Sequence, residues 1–139
     1  MDVRIKLLEG VTWVTSGDSG HGVVIDGSPA IGGQNLGMRP MELVLAGLGG
    51  CSAMDVISML RKQRQDVVDC VIELSGQRAE TIPKVFTDIQ MTYRVTGNDL
   101  SKTAVERAVR LSAEKYCSVS KMLEDSVRIT HVIECVEYS

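Results

Sequence analysis

Positive charge is thin in this chain and gathers into no stripe: 15 basic residues stand against 18 acidic ones, for a net charge of −3. A phosphate backbone is held by clustered cations, so nucleic acid is not an expected partner. Aromatics are equally scarce, with one Trp, one Phe and three Tyr, which leaves a core to be built from Val, Ile, Leu, Met and Ala. No window of about 18 apolar residues is read, so no membrane span is expected. The opening Met1-Asp2-Val3-Arg4-Ile5-Lys6 alternates apolar and charged residues, unlike the continuous apolar run of a signal peptide. Four cysteines are too few for a disulfide scaffold, and the cytoplasm, where thiols rest reduced, is the expected compartment. No two cysteines stand two to four residues apart, and His21 and His131 are isolated, so the spacing predicts no metal site.

What is present fits one domain, 1–139. Such a length buries roughly two-thirds of the surface its unfolded chain exposes. Residues 2–8 and 11–16 read as a hairpin turning at Glu9-Gly10, with Val3, Ile5 and Leu7 on one face, and 22–26 as a further strand. The glycine-rich stretch 27–38 reads as a mobile loop, placed to act as a lid or interface arm. Pro40 suits the first turn of a helix that runs to about Arg64, where Arg61, Lys62 and Arg64 complement the dipole. Val68, Cys70, Ile72 and Leu74 alternate as a strand, 85–96 forms another, and Asn98-Asp99 can cap a helix over 100–115. Lys102, Glu106, Arg110 and Glu114 mark the solvent face of that helix. A short helix over 118–125 and a strand over 127–137 complete a single α+β domain with an antiparallel sheet and a long central helix.

Cys70 and Cys135 fall in phase with the apolar residues of their strands and read as small buried hydrophobes. Cys51 differs, because Gly47, Gly49 and Gly50 precede it within a helix. Each glycine costs about 1 kcal/mol against Ala, which calls for a close approach, such as another helix packed across a two-fold axis. Cys117 lies at the junction of two helices, where unpaired N–H groups and the positive dipole end favour a thiolate, with Lys115 and Lys121 nearby. A cap with a thiol in place of a hydroxyl explains the same position.

Pro40 followed by Leu43-Val44-Leu45-Ala46-Gly47-Leu48-Gly49-Gly50-Cys51 resembles the first cysteine motif of the OsmC/Ohr family of organic hydroperoxide reductases. Cys117-Ser118-Val119-Ser120-Lys121-Met122-Leu123 resembles the second, with Ser118 where proline is common. The separation of 66 residues and the order of strands between the motifs agree, and the glycine pairs with Ser52-Ala53-Met54-Asp55 look most like the YhfA-like branch. The resemblance implies an OsmC-like fold in an intertwined homodimer, with no metal, flavin or haem cofactor. It implies that Cys51 attacks an organic hydroperoxide and becomes a sulfenic acid. Cys117 would then close a disulfide, and a dithiol, lipoyl-bearing in well-studied members, would reopen it.

The family also pairs its first thiolate with an arginine from an early loop and a glutamate directly after the proline. The matching loop, Thr15 to Gly22, offers only His21, while Arg39 and Arg4 stand elsewhere. Met41 holds the glutamate position and Glu42 follows it, nearly opposite Cys51 on a straight helix. Asp55 lies one turn beyond Cys51 on the same face, where a carboxylate raises a thiol pKa. Two other readings therefore stay open: a binding module whose apolar pocket holds a small acyl or thiol ligand, and a redox sensor that changes shape when the two cysteines join. Cys117, with the better local field, is a candidate for first attack.

Overall fold

A computed structural model describes residues 1–139. The chain divides into two compact units, residues 1–44 and 45–139.

In the first unit, β1 (Val3–Glu9), β2 (Thr12–Gly17) and β3 (Val24–Ile25) form an antiparallel sheet in that order. The hairpin turns where the sequence places it, with Gly10 at φ 56°. The row Val3, Ile5 and Leu7 remains 65, 57 and 45% exposed. The expectation of a loose segment over 27–38 is corrected. Asp26, almost completely buried, accepts backbone N–H groups from Gly27 at 2.7 Å and from Gln34 and Leu36 at 3.1 Å. Burial by itself would raise this carboxyl. The N–H groups of Leu36, Gly27 and Gln34 and the side chain of Thr12 outweigh it and hold Asp26 below the usual carboxylate range. A 3-10 turn at Pro29–Ile31 and a bridge from Ile25 to Met38 complete the tie. Glycine marks turns here, and one acidic side chain gathers them.

The second unit holds the body of α1 (Pro40–Lys62) and a sheet ordered β4 (Asp66–Arg78), β5 (Phe86–Asn98), β6 (Arg128–Glu137). Leu48, Gly49, Ser52, Val56 and Leu60 recur at helical spacing and form the buried stripe of α1. Contrary to the sequence reading, this helix does contain an 18-residue window of mean hydropathy 1.8, long and apolar enough to cross a membrane, with 28% of that window buried in the fold. Of the three glycines before Cys51, one is in close contact: a Cβ on Gly49 would meet Leu74 Cδ1 at 2.6 Å, whereas Gly47 and Gly50 have nothing within 4 Å.

β4 and β5 pair antiparallel, but β5 and β6 run parallel. The intervening helices supply the long crossover a parallel pair requires. Ile89, Met91, Tyr93 and Val95 form the fully buried row of β5. A register shift between Val67 and Asp69 moves Val68 to the exposed face, leaving Cys70 half-buried with Ile72 and Leu74. Cys135 is exposed rather than buried, because the inward alternation of β6 fades after Ile133. α2 (Lys102–Leu111) is capped by Ser101, whose hydroxyl accepts the Ala104 N–H, instead of by Asn98-Asp99. A π turn over Ser112–Tyr116 follows, then α3 (Ser118–Leu123).

Candidate functional site

The second unit brings Cys51, Asp55 and Cys117 together: their two sulfur atoms and a carboxylate oxygen all lie within 4.8 Å of one another. Cys51 and Asp55 share one face of α1 because residues four apart on a helix are neighbours. Cys117 arrives by a different device. The π turn lets its N–H donate to the Ser112 carbonyl, five residues back, at 2.8 Å. The chain then turns into α3 with Cys117 as its N-cap, the sulfur accepting the Ser120 N–H at 3.4 Å. The predicted cap is therefore present.

The field at Cys117 is not the one the sequence suggests. Burial pushes its thiol up to about 11; the Ser120 and Val119 N–H groups pull the other way, and the neighbouring Cys51 adds to the rise. Lys121 pairs with Glu124, and Lys115 lies over the Tyr116 ring at 5.2 Å. The cations expected to support a thiolate are engaged elsewhere. Cys117 is fully buried while Cys51 is half-buried, so a reagent from solvent meets Cys51 first. Neither its exposure nor its field gives Cys117 the advantage the sequence suggests.

Behind the cluster runs a chain of hydroxyls absent from the sequence reading. The Tyr93 hydroxyl lies 2.7 Å from Ser52 Oγ, which lies 3.1 Å from Ser112 Oγ. Ser112 Oγ donates to Asp55 Oδ2 at 3.0 Å. Ser52, Ser112 and Tyr93 are all buried, and a buried hydroxyl left without a partner costs about 1–3 kcal/mol. The network thereby fixes the Asp55 rotamer beside the two sulfurs. Burial, above all, pushes the Tyr93 phenol up to about 12, with the Ser52 bond opposing it. One signal was available: Tyr93 is a lone polar tip in the inward row of β5. Ser112 carried none, since the π turn that buries it is invisible to helical periodicity.

The other predicted residues take local roles in the first unit. Glu42 accepts the Arg39 N–H at 2.9 Å, closing the first turn of α1. The Arg39 guanidinium donates to Asn35 Oδ1 at 2.7 Å and to the Gly37 carbonyl at 3.1 Å. His21 is exposed, its carbonyl accepting the Gly17 N–H. A cavity of about 440 Å³ opens beside Asp55, lined by the apolar side chains of Met59, Leu111 and Tyr116 and by Lys62 and Arg107 among others.

Residues 32–132 match the family model described as OsmC-like protein. Protein YhfA of Escherichia coli (strain K12) is 50% identical over 136 residues, covering 98% of each chain. Among solved structures, a hypothetical protein from Aquifex aeolicus VF5 superposes with a TM-score of 0.87 at 33% identity, covering 99% of this chain and 97% of that one. The organic hydroperoxide resistance protein OhrB of Bacillus subtilis shares the fold, with a TM-score of 0.65 at 20% identity over 96% and 98% of the two chains.

Proposed function

We propose a function from one premise, that the chain belongs to the OsmC-like protein family and to its YhfA-like branch: it is a cysteine-based peroxidase that reduces organic hydroperoxides. The observation that carries this reading is the approach of two sulfurs of unlike exposure to within 4.8 Å. Cys51, half-buried, attacks the outer oxygen of ROOH. The O–O bond breaks, ROH leaves with a proton, and the sulfur becomes a sulfenic acid. Cys117 then attacks that sulfur, its proton leaves with the hydroxyl as water, and the disulfide forms. Closure to an S–S bond of about 2.05 Å asks for only a short approach. An external dithiol restores both thiols and leaves as its own disulfide. The apolar walls of the adjoining cavity, Met59, Leu111 and Tyr116, favour an alkyl substrate over hydrogen peroxide. A thiol-reducing cytoplasm is the setting this cycle needs.

The test is stoichiometric. One equivalent of cumene hydroperoxide added to the reduced protein should yield one alcohol and one disulfide, mapped by mass spectrometry to Cys51–Cys117. Alcohol without that disulfide would refute the scheme. Disulfide without turnover in excess dithiol would move the reading to a redox sensor.

The proposed assembly is a homodimer. Val3, Ile5, Leu7 and Leu8 leave an apolar row exposed on β1, and Gly47 and Gly50 leave bare backbone on α1. In a lone chain, Gly47→Ala with Gly50→Ala should raise stability by about 1 kcal/mol per site. Where a second copy packs on that face, the added methyl groups obstruct it. Sedimentation velocity should find the double variant shifted towards monomer; a stabilised variant with unchanged association would show that no partner uses this surface.

A further inference from the structure

We propose that Cys51, Asp55 and Cys117, when reduced, hold one thiophilic divalent cation of the zinc class per chain. Sequence spacing argues against such a site, because zinc ligands are sought as close pairs along the chain. Here the fold supplies what the spacing lacks: two sulfurs and one carboxylate oxygen converge within 4.8 Å, from α1 and from the cap of α3. A tetrahedral zinc with bonds of about 2.3 Å to sulfur sets its ligands roughly 3.8 Å apart. The two sulfurs therefore need to close by about 1 Å at most and the shorter-bonded oxygen by about 1.3 Å at most, within the reach of side-chain rotation.

Two features distinguish the cluster from a chance meeting. Each of two ligands already has an outer hydrogen bond of the kind that orients metal ligands. Ser112 Oγ donates to Asp55 Oδ2 at 3.0 Å, and the Ser120 N–H points to the Cys117 sulfur at 3.4 Å. Asp55 also lines a cavity of about 440 Å³ that opens to solvent, so the cluster is approachable on its carboxylate side. Thiolate and carboxylate oxygen are both ligands that zinc accepts, and a mixed set of two sulfurs and one oxygen suits its borderline softness. On binding, each cysteine gives its proton to the buffer and no electrons move. The bound ion and the Cys51–Cys117 disulfide exclude each other, since both use the same sulfur lone pairs. The cation thus holds the site in an unreactive form, and binding itself does not depend on the peroxidase reading.

Zinc titrated into the reduced chain against a chromophoric chelator, with no peroxide present, tests the inference. One equivalent should bind per chain. Cys70→Ser with Cys135→Ser should leave that unchanged. Asp55→Asn should weaken binding at least about tenfold, and Cys51→Ser with Cys117→Ser should abolish it. Zinc should also slow alkylation of Cys51 in the unmodified chain, a readout that needs no variant to fold. The absence of zinc binding by the unmodified chain, binding that survives loss of both thiols, or undiminished affinity in Asp55→Asn would each overturn the site. Hydroperoxide turnover is measured separately, so either idea can fail while the other stands.

Discussion

Cys51→Ser is expected to lower organic hydroperoxide reduction by on the order of 10³-fold or more, the scale of removing an essential nucleophile. The reasoning rests on what remains. A serine hydroxyl is protonated at neutral pH and has no accessible oxidation state like a sulfenic acid. Cys117 cannot take over, for two reasons of different origin. It is fully buried, so a hydroperoxide does not reach it. Its thiol is also pushed up to about 11, chiefly by burial, so it rests protonated at neutral pH. Part of that rise comes from Cys51 and goes with it, but burial is the largest cause and stays. Steady-state consumption of cumene hydroperoxide with a dihydrolipoyl reductant gives the measurement. Turnover near that of the unmodified protein would show that Cys51 is not the attacking group.

The arrangement of elements was readable because it depends on local rules. Pro40 opening a helix, the spacing of four across Lys102, Glu106, Arg110 and Glu114, and the Glu9-Gly10 turn each act within a few residues. The errors share a cause: tertiary partners decide them. Arg39 carries a charge that sequence alone cannot assign, and Asn35 and the Gly37 carbonyl use its guanidinium. Lys121 sits beside Cys117 in sequence yet pairs with Glu124. The segment over 27–38 was judged by its glycines, when the deciding residue was Asp26 just before them. Cys135 keeps the right alternation on a part of β6 that lacks cover.

The candidate site was half legible for a related reason. Asp55 was placed correctly beside Cys51, since helix geometry alone sets that relation. Its chemical meaning was not, because the partner that orients it, Ser112, lies 57 residues away. The convergence with Cys117 depends on a π turn, which carries no periodic signature. Motif resemblance supplied that pairing where physical periodicity could not.

Cys117→Ser separates the two halves of the proposed cycle. Serine is a preferred N-cap, so α3 keeps its first turn and the fold should survive the change. The first oxidation of Cys51 should then run within about threefold of its normal rate, because the attacking sulfur itself is untouched. Recycling should fall by about 100-fold or more. No second thiol shares the cluster: Cys70 stands on β4 and Cys135 on the exposed end of β6. The sulfenic acid at Cys51 should therefore accumulate and react with a cyclic 1,3-dione, which mass spectrometry reads as a single adduct on the Cys51 peptide. Sustained turnover without that adduct would mean that an external dithiol reaches the oxidised Cys51 directly. The proximity of the two sulfurs would then serve some purpose other than resolution, and the buried, protonated state of Cys117 would be its resting condition rather than a step in the cycle.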